Sequence, residues 1–188
     1  MMDEKRVVKT SKRLSKVLRH DPGALGLTLD EGGWVRVDTL LAAFAERGGR
    51  LTRAELDHVV ETNNKRRFAY SEDGLRIRAS QGHTVEVDLG LAATEPPPVL
   101  FHGTAQSSVA AIFRDGLRPM ARQDVHLSAE TETATRVGAR HGRPVVLRVD
   151  AAAMAADGHE FRVSANGVWL TDAVPPQYLS RDVAHAAD

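Results

Sequence analysis

The residues of this 188-residue chain best suited to chemistry are cationic, and they come in short clusters. Arg19 and His20 stand side by side just before Asp21-Pro22. Lys65, Arg66 and Arg67 run into Phe68, and Arg118 and Arg122 lie on a segment that leads to His126 and Ser128. A further cluster, His102-Gly103-Thr104, follows Phe101. Guanidinium groups hold phosphate through paired, charge-assisted hydrogen bonds, and imidazole moves protons near neutral pH. A strand ending in His-Gly-Thr ahead of a helix offers backbone amides to an anionic or nucleotide ligand. Each cluster also has a plainer reading. A basic pair at a helix C-terminus meets the negative end of the macrodipole, and a charge run is usually a solvated turn.

Composition narrows these choices. The 25 Lys and Arg residues balance 25 Asp and Glu residues, so any recognition of nucleic acid is focal rather than a blanket field. The chain has no cysteine, which removes disulfides, iron–sulfur ligation and thiolate catalysis. No GxGxxG, GxxxxGK[ST] or HExxH pattern occurs, so Rossmann, P-loop and zincin sites are not expected, nor is any metal. No apolar run approaches the ~20 residues of a membrane span. Met1 to Thr10 lacks the apolar core of a signal peptide, and the expectation is a cytoplasmic protein without membrane contact.

The elements that must position the clusters follow from periodicity. Leu14, Val17 and Leu18 predict a helix over Ser11 to Arg19, and Pro22 makes it stop there. Leu25 to Leu29 and Trp34 to Val37 read as two extended pieces around the turn Asp30 to Gly33. Asp38 is the expected N-cap of a helix ended by Gly48-Gly49, and Thr52 with Glu55 forms a capping box for the next. Arg67 to Tyr70 and Leu75 to Arg78 flank Asp73-Gly74, a strong hairpin signal. Gly82, between Gln81 and His83 in the segment Ile77 to Thr84, permits close backbone approach.

Helix, turn, helix and hairpin are the order of a winged-helix lobe. The stretch Gly90 to Pro98, with three consecutive prolines, is the domain boundary, dividing the chain into 1–92 and 93–188. Beyond it, strands are expected at Val99 to Gly103, Val125 to Leu127, Pro144 to Val149 and Val168 to Leu170. Helices are expected after Ser107 or Ser108 as far as Gly116, and from Thr131 to Gly142. The fold class is α+β, with a mixed, β-rich second half.

Taken together, the motifs resemble the RNA 2′-phosphotransferases of the KptA type. The matching elements are Leu18-Arg19-His20 with Pro22, Leu29-Asp30 with Gly33-Trp34, Asn63 to Phe68, and Ile77 to Thr84. They continue through Phe101 to Thr104, Gly116-Leu117 with Pro119-Met120, and Val125 to Ser128, in family order over most of the chain. The resemblance implies an N-terminal winged-helix lobe that binds RNA and a C-terminal ADP-ribosyltransferase-like lobe that binds NAD. It implies NAD-dependent removal of an internal RNA 2′-phosphate from a tRNA-like substrate. The products are 2′-hydroxyl RNA, nicotinamide and ADP-ribose 1″,2″-cyclic phosphate.

The same resemblance assigns a catalytic tetrad to Arg19, His20, Arg67 and Arg122, with Arg118 the competing choice for the last position. It requires the four to converge on one cleft facing His102. It maps an NAD-binding signature onto His102, His126 and Val168; Gly103, Thr104 and Ser128 are expected to share in binding NAD, and no metal is expected. Many ADP-ribosyltransferases place a glutamate near the acceptor. The corresponding Val168-Trp169-Leu170 carries no carboxylate, which suits a dianionic nucleophile. The expected working form is a monomer. Two other functions fit the same lobes: an ADP-ribosyltransferase that caps terminal phosphates of nucleic acids, and a non-catalytic nucleic-acid-binding module.

Overall fold

A computed structural model describes residues 2–47 and 49–182, and the chain divides into two compact units, Met1–Gly90 and Leu91–Asp188. Among the described residues there are six α-helices and three small antiparallel sheets, an α+β fold. No helix among them is long and apolar enough to cross a membrane.

In the first unit, α1 (Glu4–Arg19) begins well before the predicted Ser11. The Asp3 carboxylate caps it by accepting from Arg6 N at 2.7 Å, and its first two turns are mostly exposed, with Val7 alone packed against the core. Leu14, Val17 and Leu18 face the core as expected. The helix stops at Arg19, and the amides of His20 and Asp21 both return to the Lys16 carbonyl. Pro22 then opens a 3-10 turn, Pro22–Leu25, which Asp21 caps.

The piece expected to be extended at Leu25 to Leu29 is therefore not a strand. Instead β1 (Val35–Arg36) pairs with β3 (Arg76–Ala79), which pairs in turn with β2 (Phe68–Tyr70). The sheet order is β1-β3-β2. Between β1 and β2 lie α2 (Val37–Glu46) and α3 (Arg53–Glu61).

The N-cap of α2 is Arg36, whose side chain makes no capping bond, rather than Asp38. Asp38 sits in the first turn, where it holds the Thr39 amide and pairs with Arg36, which draws its carboxyl down to about 2. Gly49 N bonds the Phe44 carbonyl beyond the helix end, while Gly48 lies outside the described residues. The capping box of Thr52 and Glu55 is formed in both directions. At the hairpin tip, Gly74 takes φ +67°, the left-handed geometry its turn requires. Leu14, Leu18, Leu40, Leu56 and Ile77 close the core of this unit.

In the second unit, β4 (Val99–Ala105) pairs with β6 (Pro144–Asp150), and β6 with β9 (Leu179–Arg181). The other sheet runs β5 (Val125–Leu127), β8 (Trp169–Thr171), β7 (Arg162–Val163). The bridge Phe101↔Ser128 links β4 to the end of β5. Helix α4 (Val109–Asp115) starts from a 3-10 turn, Gln106–Ser108, and no serine hydroxyl caps it. Helix α5 (Thr131–Gly138) ends short of the expected Gly142, and β8 begins one residue after Val168. The alanine run is α6 (Ala151–Ala156), capped by Asp150.

Gly103 and Gly138 bring α5 against β4. A Cβ on Gly103 would overlap the Ala134 carbonyl and lie 2.9 Å from Gly138 N, and one on Gly138 would lie 2.7 Å from Thr104 O. Both glycines are therefore packing contacts, and Gly103 is a motif residue as well. Leu100, Leu127, Val149, Met154 and Phe161 form the core beneath.

Candidate functional site

Each unit carries one constellation. In the first, Arg19 is the last residue of α1 and His20 its C-cap. The last carbonyls of a helix have no intrahelical partner, and here the Arg19 carbonyl accepts from Thr84 N at 2.9 Å and Val85 N at 3.3 Å. The Thr84 hydroxyl reaches the same carbonyl at 3.4 Å and lies 3.1 Å from His20 Nδ1. One short segment thus fixes both members of the cationic pair.

The same segment begins at Arg67. Ser80 N donates to the Arg67 carbonyl at 2.8 Å, and the Ser80 hydroxyl donates to the Arg66 carbonyl at 2.7 Å. Arg67 is also held from the other side. Asn63 Oδ1 accepts from Lys65 N and Arg67 N, while its Nδ2 donates to Ser11 Oγ on α1. The turn between α3 and β2 is tight enough to put Arg66 at φ +42°, a left-handed conformation that costs a side-chain-bearing residue roughly 1–2 kcal/mol. Ser80 to Thr84 therefore ties Arg67 to the Arg19–His20 pair within one unit.

His83 lies behind the pair, 2 % exposed, with Nε2 facing the turn at Gly33 and that atom without a hydrogen-bond partner among the described residues. Burial, and then the positive charges of Arg19, Arg78 and His20, push its imidazole down to about 4. It is neutral at physiological pH, so it adds no repulsion to the cations in front of it. Arg78 stacks on Trp34 at 4.3 Å and donates to the carbonyls of Gly32 and Leu89, which steadies the loop around His83.

In the second unit the two histidines and one arginine meet. His102 Nδ1 lies 3.1 Å from the His126 carbonyl. A carbonyl only accepts, so His102 carries its proton on Nδ1 and presents Nε2 as an acceptor. Burial holds its pKa below the ordinary imidazole value. Arg122 Nη1 lies 2.5 Å from His126 Nδ1. The guanidinium only donates, so His126 accepts there and carries its proton on Nε2. The pair of rings therefore shows one acceptor and one donor.

Of the two candidate arginines, Arg122 makes the His126 contact, while the nearby charge to which Arg118 couples is Asp115. Partial desolvation and then the charge of Arg140 lower the pKa of Arg122, which marks Arg140 as a neighbouring cation. The loop is anchored by Asp124, half-buried and bonded to Arg162 on β7 at 2.9 Å.

Gly103 and Thr104 continue β4 beyond His102, and Thr104 is buried. Ser128 exchanges both backbone hydrogen bonds with Phe101, next to His102. Val168 leads into Trp169, which pairs with Leu127, and its own amide is held by the Ser164 hydroxyl. Sequence reasoning missed Thr84 as the partner of His20, Asn63 as the clamp on Arg67, and the Asp124–Arg162 anchor. Asn63 had a signal, since Asn ahead of a polar turn commonly bonds backbone amides downstream. Thr84 and Arg162 had none, because their partners are distant in sequence.

Comparison with known proteins gives a consistent result. The family model described as "RNA 2′-phosphotransferase, Tpt1 / KptA family" matches residues 5–173. A Streptomyces coelicolor protein named "Probable RNA 2′-phosphotransferase" is 62% identical over 184 residues, covering 98% of this chain and 100% of the relative. Proteins of the same name from Herpetosiphon aurantiacus and Agrobacterium fabrum are each 56% identical over 179 residues. They cover 95% of this chain and 98% and 96% of their own lengths.

Proposed function

This chain belongs to the RNA 2′-phosphotransferase, Tpt1/KptA family, and on that premise we propose that it transfers an internal RNA 2′-phosphate to NAD. The observation that carries the reading is the tethering of Arg19, His20 and Arg67 by the single segment Ser80 to Thr84. A phosphate dianion is best held by several guanidiniums whose positions are fixed before it arrives. Two lobes are proposed, residues 1–92 for RNA and 93–188 for NAD. The element order α1, β1, α2, α3, β2, β3 with sheet order β1-β3-β2 supports a winged helix for the first. The two bridged sheets, with His102 and His126 at their junction, support an ADP-ribosyltransferase-like second lobe.

The chemistry follows in two steps. An oxygen of the RNA 2′-phosphate bonds to the ribose carbon that bears nicotinamide, and the carbon–nitrogen bond breaks. Nicotinamide leaves neutral with the electron pair. The adjacent ribose hydroxyl then attacks phosphorus, and the bond from phosphorus to the RNA 2′-oxygen breaks. The proton lost by that hydroxyl ends on the RNA 2′-oxygen, with His20 as its carrier.

Arg19, Arg67 and Arg122 are assigned to the phosphate, where well-aimed donors stabilise developing charge by a few kcal/mol each. NAD is a co-substrate consumed in the first step. The acceptor on His102, the donor on His126, and the backbone of Gly103, Thr104, Ser128 and Val168 form the donor–acceptor set proposed to hold it.

The test is incubation with NAD and a short RNA bearing one internal 2′-phosphate. Release of 2′-hydroxyl RNA with ADP-ribose cyclic phosphate is the expected result. An ADP-ribosylated strand that accumulates without going further would point to a capping transferase. Binding without turnover would point to a nucleic-acid-binding module.

A further inference from the structure

We infer that Thr84 is a positioning residue for His20, orienting the imidazole through Nδ1 so that proton exchange with the RNA phosphate runs through Nε2. The inference rests on the phosphotransferase reading and deepens it. Three groups lie in a row: the Arg19 carbonyl, the Thr84 hydroxyl at 3.4 Å, and His20 Nδ1 at 3.1 Å from that hydroxyl. Their directions follow from what each group can do. The carbonyl can only accept, so the hydroxyl hydrogen goes to Arg19 O. The hydroxyl oxygen is then the acceptor, and Nδ1–H of His20 is the donor.

This arrangement has a consequence for catalysis. Nδ1 carries a hydrogen in both the neutral Nδ1–H tautomer and the imidazolium, so the relay survives protonation and deprotonation of the ring. Nε2 is the position at which the proton comes and goes. The oxygen end of the relay is rigid, because Thr84 N and Val85 N also bond the Arg19 carbonyl, and the ring itself is exposed at the end of α1. Thr84 thus links the orientation of His20 to the backbone that carries Arg19. The buried, neutral His83 next to it lets the segment sit behind three cationic neighbours without adding charge.

The experiment compares the wild-type chain with Thr84→Val and Thr84→Ser, using steady-state kinetics with NAD and 2′-phosphorylated RNA. Valine keeps the shape and the backbone amide but removes the relay; serine restores the hydroxyl. The expected result for Thr84→Val is a loss of about 10- to 100-fold in kcat, the scale of a misoriented catalytic group, with KM within about threefold. Thr84→Ser should retain most of the wild-type kcat. Nitrogen-15 spectra of His20, taken where the ring is neutral, should show the Nδ1–H tautomer in the wild type and in Thr84→Ser.

Thr84→Val turning over like the wild type would overturn the inference, and so would Thr84→Ser failing as badly as Thr84→Val. Should Thr84→Val not fold, the wild-type spectrum decides: an Nε2–H tautomer refutes the relay. Wild-type turnover is measured first. Its absence would refute the phosphotransferase reading itself, whereas the tautomer would still test the relay.

Discussion

Lowering the pH from 7 to 5 should cost the native state about 2 kcal/mol through His83 alone. The ring is 2 % exposed and packed beside the Gly33 turn and Val87. Burial, reinforced by Arg19, Arg78 and His20, holds its folded pKa at about 4 against an unreacted value of 6.5. In the unfolded chain the ring takes up a proton as pH falls through 6.5, while the folded ring resists until about 4. Between those values the unfolded state binds more protons, so stability is full above 6.5 and declines toward 4. The whole gap corresponds to about 3 kcal/mol, and roughly two-thirds of it is lost by pH 5.

The assay is urea unfolding at pH 7 and pH 5 for the wild type and His83→Gln. The half-buried His102, whose pKa burial also lowers, contributes with the same sign in both proteins and cancels from the comparison. The wild type should lose about 2 kcal/mol more than the variant over this interval. Equal losses in the two proteins would refute the reasoning that His83 is neutral and shielded in the fold.

Three further outcomes follow. Gly103→Ala forces a Cβ into the Ala134 carbonyl and should cost about 1–3 kcal/mol or more, read as a Tm lowered by several degrees. Arg67→Lys keeps the charge but loses the planar fork, and should lower kcat/KM by about 100-fold while leaving Tm unchanged. Thr52→Ala removes half of the capping box on α3 and should cost about 1 kcal/mol in a thermal melt, with turnover at 25 °C unaffected.

What could be read from the chain was local. Thr52 and Glu55 share one helical turn, so the capping box is written in adjacent residues, and Asp73-Gly74 marks the hairpin in the same way. The basic and His-Gly-Thr clusters were legible because their chemistry lies in residue type. Pairings across the chain were not. Val35 finds Ile77 on β3 rather than the nearer apolar residues before Gly32, because completing the β1-β3-β2 sheet buries both. The start of α1 was hidden because its first turns are mostly solvated and only Val7, partly buried against the core, carries the apolar face that Leu14 and Leu18 continue. The partner of His20 stands 64 residues away, and nothing local to His20 or Thr84 announces the contact. Gly103 read as part of a strand end that offers amides to an anionic ligand; its approach to the Ala134 carbonyl depends on where α5 packs.

The proposed reaction turns on the fate of one phosphorus atom. Its most direct test is a single-turnover reaction with NAD and RNA whose internal 2′-phosphate carries a phosphorus-32 label. The label should pass through an ADP-ribosylated RNA and end in ADP-ribose 1″,2″-cyclic phosphate, with the RNA left as its 2′-hydroxyl. Label recovered as inorganic phosphate, or held on the RNA with NAD intact, would contradict the account.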